Sequence, residues 1–169
     1  MITVDRIFCE LERRGAKLAS CVDIDVYTLC DTVPFLRWCT DNGLVLHGSP
    51  FLFRILEPRR PVDIARPGRC PSAVYLTDDP APAMYSAIAI GERGGYSVWR
   101  DATGSYTTLE FYVRRACNLA EHGYIYLLSR FAAQDRMDGD YLSYRPVVPI
   151  VRLLFPRSDF PHLIRVAEP

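Results

Sequence analysis

Near its start the chain places Ile7, Phe8, Leu11 and Leu18 at helical spacing, with Glu10, Glu12, Arg13 and Arg14 on the opposite side. The pattern predicts a helix in the stretch Val4 to Leu18, with Gly15 marking its end. A second helix is expected from Val33 to Thr40. Asp31 or Thr32 can cap it, Pro34 sits in its first turn, and Asn42-Gly43 stops it. From Leu44 onward the texture turns strand-like. Leu44-Val45-Leu46 runs into His47, Phe51 to Leu56 is apolar, and Ala73 to Leu76 reads as a buried strand beyond a Pro/Arg loop from Glu57 to Pro71. Asp78 or Asp79 then caps a helix with Pro80 and Pro82 in its first turn, continuing through Met84, Tyr85, Ile88 and Ile90. Gly94-Gly95 reads as a turn. Tyr106 to Val113, Tyr124 to Leu128 and Val147 to Phe155 read as three further strands.

This order predicts an α+β fold with a mostly antiparallel sheet, its helices clustered in the first half. At 169 residues a single domain, 1–169, is expected, with a helical N-terminal portion over 1–43 and a strand-rich core over 44–169. Charge narrows the partners. Twenty basic residues balance 20 acidic ones, so the chain lacks the cationic excess expected of a protein that binds nucleic acid chiefly through phosphates. Arginine supplies all of the basic side except Lys17. No apolar run approaches the roughly 20 residues that span a bilayer, so no membrane partner is expected.

The six cysteines, at 9, 21, 30, 39, 70 and 117, contain no Cys-x-x-Cys pair and no zinc-finger spacing with the three histidines, so no metal is expected. They read as buried small hydrophobes. Met1-Ile2-Thr3 runs straight into Asp5 and Arg6, unlike a signal sequence, and a reduced cytoplasmic setting follows as the expectation. The absence of a phosphate-loop motif and of Gly-x-Gly-x-x-Gly removes support for kinase and Rossmann readings.

Candidate chemistry collects in two short segments, Leu46-His47-Gly48-Ser49 and Val74-Tyr75-Leu76-Thr77 leading to Tyr85. Glycine lets backbone approach a ligand, the imidazole can donate to a ribose hydroxyl, and Ser49 can reach a carboxamide or phosphate. Two tyrosines can sandwich a planar ring, each aromatic pairing adding about 0.5–1.5 kcal/mol beyond area burial. Each piece also fits a plain turn histidine or core tyrosines.

Taken together, strand-His47-Gly48-Ser49, strand-Tyr75 and helix-Tyr85 resemble the NAD-binding half of ADP-ribosyltransferases of the diphtheria-toxin and poly-ADP-ribose polymerase type. The segment Gly123 to Leu128 followed by Val147 to Val151 is similar to the closing strands of that fold, so the resemblance spans roughly residues 44–155. It implies a split, mostly antiparallel sheet and NAD as substrate. His47 and Gly48 would bind NAD, with Ser49 at the small hydroxyl position, and Tyr75 and Tyr85 would flank the nicotinamide. The chain would cleave the nicotinamide–ribose bond and pass ADP-ribose to an unknown macromolecular or small acceptor, a chemistry that small members of the family often use in toxin or defence roles.

The same segments resemble RNA 2′-phosphotransferases, for which Arg54, Arg59, Arg60 and Arg66 would supply phosphate contacts; Arg59-Arg60, between Pro58 and Pro61, also reads as a solvated loop. The transferase family places a glutamate just before the late strand. The stretch Asp138-Gly139-Asp140-Tyr141-Leu142-Ser143-Tyr144-Arg145 holds none. Asp140, one methylene shorter, is the nearest carboxylate that could oppose the developing positive charge. Glu110 is the alternative, and its place also fits an outward residue on an amphipathic strand. A module that binds NAD or ADP-ribose without turnover is the competing expectation.

Overall fold

Capping residues and glycine set the helix ends. A computed structural model describes residues 2–21, 23–60, 70–91, 94–100, 106–137 and 139–166. Helix α1 (Val4–Arg13) starts where the Thr3 hydroxyl accepts from the Arg6 N–H, and it buries Ile7 and Leu11. Glu10, on its polar side, accepts from Arg13 and Arg14, and these hydrogen bonds hold its carboxyl down at about 2. Gly15, at φ 69°, ends the helix. The expected extension to Leu18 is therefore corrected. Strands β1 (Lys17–Cys21) and β2 (Ile24–Thr28) instead pair antiparallel, leaving Leu18 exposed and making the 1–43 portion only partly helical. The period-two alternation of Ile24, Val26 and Thr28 is the signal that fits this pair.

Helix α2 (Thr32–Asp41) follows, then β3 (Leu44–Ser49), β4 (Val74–Leu76) and α3 (Pro80–Ile88). Asp79 caps α3 by accepting from the Ala81 N–H at 3.0 Å. Among the described residues the rest is strand and short turns: β5 (Gly94–Arg100), β6 (Tyr106–Val113), β7 (His122–Ser129), β8 (Asp135–Met137), β9 (Asp140–Ser143), β10 (Val151–Pro156) and β11 (Ile164–Val166). Gly94-Gly95 opens β5 rather than forming a turn. A Cβ on Gly95 would stand 2.6 Å from the Tyr112 hydroxyl, so the glycine leaves room for that half-exposed ring to lie across the strand pair. Phe51 to Leu56 is loop, touching a strand partner only where Leu56 bridges to Val147.

The strands make three sheets, ordered β1-β2-β10-β7-β3, β11-β6-β5 and β4-β9-β8. Pairings are antiparallel except β2 with β10 and β6 with β11, so the fold is α+β with mostly antiparallel sheets, as expected. Strand β3 is covered on both faces, which is why Leu44-Val45-Leu46 reads as a continuous apolar run: Leu44 and Leu46 join the larger core under the helices, and Val45 joins a second cluster with Tyr126 and Leu128. Of the cysteines whose environment is described, only Cys39 is buried; Cys9 and Cys30 are exposed and Cys70 half-buried.

Helix α3 lies directly on β3 and β7 through two glycines. A Cβ on Gly48 would stand 1.9 Å from the Ala83 carbonyl oxygen, and one on Gly123 would stand 1.6 Å from the Ala87 carbonyl oxygen. The obstacle in both cases is helix backbone, which has no rotamer to yield. Gly123→Ala should therefore destabilise by about 3 kcal/mol, the upper part of the usual overpacking range. Its denaturant midpoint, compared with that of Leu163→Ala at an 80% exposed position, checks this.

Candidate functional site

Strands β3 and β4 are joined at one point and then part. Leu46 and Thr77 exchange both backbone hydrogen bonds, at 2.7 and 2.9 Å. Backbone groups two residues apart point to the same strand edge, so the Gly48 N–H and C=O face the same gap. Among the described residues no backbone bond closes it there. The first turn of α3 departs at this point, with the Thr77 hydroxyl accepting from the Asp79 N–H.

His47 closes the gap from one face. Its Nδ1 lies 2.9 Å from the Tyr75 carbonyl oxygen, which can only accept, so Nδ1 carries the proton and Nε2 keeps a lone pair. Burial pushes the imidazole pKa below 6.5; the nearby Arg59 cation pushes the same way, against the Tyr75 hydrogen bond. The expected donation to a ribose hydroxyl is thereby reversed. With Nδ1 engaged, the remaining nitrogen of neutral His47, Nε2, is able to accept a hydrogen bond and not to donate one. The Tyr75 phenol donates to the Pro71 carbonyl at 2.9 Å, and burial raises its pKa to about 12.

Two lobes meet at His47 and Tyr75. The narrow one, about 100 Å³, is also lined by Gly48, Ser86, Tyr96 and Asp140. Asp140 begins β9, which is paired to β4, and the next residue, Tyr141, donates to Asp78 at 3.0 Å, tying the strand to the start of α3. The wider lobe, about 330 Å³, is walled by Phe51, Phe53, Glu57 and Arg59, with the Arg59 guanidinium 4.9 Å from the Phe53 ring centre. Its wall is held from beneath. The buried Tyr126 hydroxyl donates to the Phe51 carbonyl (2.7 Å) and accepts from the Phe53 N–H (2.8 Å), and Arg152 donates to the carbonyls of Phe53 and Arg54.

Several expected site residues fall elsewhere. Tyr85 is 3% exposed; its hydroxyl donates to the Tyr112 carbonyl and its ring packs 5.0 Å from Phe111, so it belongs to the core and not to the cleft. Glu110 lies on another surface, half-exposed and 3.3 Å from Arg165. Arg54 points to the β1–β2 turn, donating to the Asp23 carbonyl. Ser49 lines the wider lobe, but its hydroxyl accepts from the Phe51 N–H and so shapes the loop. The bare Cα of Gly48 serves α3, not a ligand. Arg66 and Asp138 lie outside the described residues. His47, Gly48, Tyr75 and Asp140 do converge. Tyr96, Tyr126 and Arg152 were not singled out from the sequence; Tyr96 follows the two glycines that read as a turn.

Comparison of the chain with protein-family models, curated proteins and solved structures finds no match. No helix among the described residues is long and apolar enough to cross a membrane.

Two outcomes follow from this geometry. Because the folded pKa of His47 lies below 6.5, the unfolded chain takes up that proton first as the pH falls. The stability tied to neutral His47 is complete above pH 6.5 and is lost as the pH drops from 6.5 toward the folded value, at no more than about 1.4 kcal/mol per pH unit. His162, also lowered by burial, adds to the same slope. The fall in denaturation midpoint from pH 7.5 to 5 should be smaller in His47→Gln, and an equal fall would assign the slope elsewhere. Tyr126→Phe strands the Phe53 N–H and the Phe51 carbonyl, at a cost of about 1–3 kcal/mol; amide exchange at Phe53 should quicken.

Proposed function

We propose that the cleft binds NAD and that the chain cleaves its nicotinamide–ribose bond, transferring ADP-ribose to an acceptor, on a split sheet of the ADP-ribosyltransferase type. The observation that carries this reading is the convergence of Asp140 with Tyr75, Ser86 and the open Gly48 edge in a lobe the size of a single ring. A carboxamide has one acceptor and one donor side by side, and the N–H and C=O of one strand residue complement both. The wider lobe, with its Phe53–Arg59 stack, suits the larger adenosine end and its diphosphate. His47, as an acceptor between the lobes, accepts a hydrogen bond from a ribose hydroxyl.

In the reaction the C–N bond at the anomeric carbon breaks and its electron pair leaves with nicotinamide. Positive charge grows on the ribose, and the fixed Asp140 carboxylate opposes it. An acceptor nucleophile then bonds to the anomeric carbon and loses its proton.

Nicotinamide release tests the assignment. Asp140→Asn should lower kcat roughly 100-fold with little change in NAD affinity, His47→Ala should weaken binding, and Glu110→Gln should match wild type. Binding by calorimetry without release would reassign the chain to a non-turnover NAD module, and no binding would remove both readings.

A further inference from the structure

The strand that carries Asp140 is held unevenly. Its rungs to β4 run from Ser143 to Tyr141 and stop one residue short of Asp140. Gly139, at φ 96°, stands just before it, so a turn leads into Asp140. On the other side the last rung of β8 reaches it, with Met137 opposite Asp140. Among the described residues, strand pairing therefore grips Asp140 from one side and its neighbour Tyr141 from two.

Tyr141 is fixed again through its side chain. The ring is buried, with the guanidinium carbons of Arg130 and Arg136 at 4.9 and 4.7 Å from its centre. Its hydroxyl donates to Asp78 Oδ2 at 3.0 Å, and the same oxygen accepts from Arg130 at 3.3 Å. Burial, then the Asp78 carboxylate, raises the Tyr141 pKa, so the phenol keeps the proton it donates. Asp78 precedes Asp79, the cap of α3, and α3 is seated on the bare Cα atoms of Gly48 and Gly123. Neighbouring strand residues project to opposite faces. These contacts thus hold β9 from the face turned away from the Asp140 side chain, and Tyr141 lines neither lobe. We infer that Tyr141 is a positioning residue: its hydroxyl bond to Asp78 ties the open end of β9 to α3 and so aims the Asp140 carboxylate. The inference rests on the proposed function, in which that carboxylate opposes the charge growing on the ribose. Displacement by about 1 Å at a reacting centre can cost roughly 100-fold in rate.

Nicotinamide release and NAD calorimetry with the full chain test this in wild type, Tyr141→Phe, Asp140→Asn and the double variant. Tyr141→Phe keeps the ring beside its two cations and removes the hydroxyl alone. It should lower kcat about tenfold and leave NAD affinity unchanged. In the Asp140→Asn background the same substitution should lower kcat no further, because no charge remains to be aimed. Asp78→Ala, which removes the acceptor instead of the donor, should show the same dependence on Asp140. Asp78→Asn, which still accepts, should recover most of the lost kcat. Equal losses from Tyr141→Phe with and without the Asp140 carboxylate, or no loss, would overturn the positioning role and leave the proposed function standing. An Asp140→Asn protein as fast as wild type would overturn the catalytic assignment of Asp140 and the role of Tyr141 with it. So would a wild type that releases no nicotinamide.

Discussion

The contact between the backbone of α3 and the bare Cα atoms of Gly48 and Gly123 governs the architecture around the cleft. It brings the helix closer to β3 and β7 than any side chain would permit, and so leaves the helix no freedom to rotate about its axis. The phase fixed in this way sends Tyr85 inward and Ser86 to the narrow lobe, and it places the start of α3 against the end of β4. A helix set one side chain further out would lose that phase.

Electrostatics follow from the same packing. His47 is pushed toward its neutral form by desolvation and by the nearby Arg59 cation, while the Tyr75 carbonyl, which acts the other way, fixes Nδ1 as the nitrogen that carries the proton. The narrow lobe is lined by one carboxylate, Asp140, and the wide lobe by a carboxylate and a guanidinium, Glu57 and Arg59. The rigid 51–54 loop, fastened by Tyr126 and Arg152, keeps the wide end in shape before anything binds.

Where local chemistry is self-sufficient, sequence and structure agree. The doubly buried β3, the Asp79 cap with Pro80 behind it, and the Gly15 and Gly43 stops are set by nearest neighbours, and the α+β class followed from them. The convergence of His47, Gly48, Tyr75 and Asp140 was also legible, since each closes or opens a recognisable segment. The misreadings share a cause. Gly94-Gly95 looked like a turn because the β6 residues that pair with it, Val113 and Tyr112, are tertiary neighbours. Tyr85 looked like a wall because spacing along a helix gives distance but not phase, and the phase was set by glycines on two other strands. The β1–β2 pair was hidden by apolar residues that happened to continue a helical spacing.

The two sides of the cleft belong to different sheets: His47 and Gly48 to the five-stranded one, Tyr75 and Asp140 to the small β4-β9-β8 sheet. Along the β3 edge, among the described residues, they are stitched by the reciprocal backbone pair at Leu46 and Thr77 and by the His47–Tyr75 hydrogen bond. Three short strands form a weak cooperative unit by themselves. A molecule gripped by both sides acts as a second stitch, and mass action then transfers its binding free energy to the smaller unit. Protection of the β8–β9 amides becomes a gauge of occupancy at a distance from the ligand.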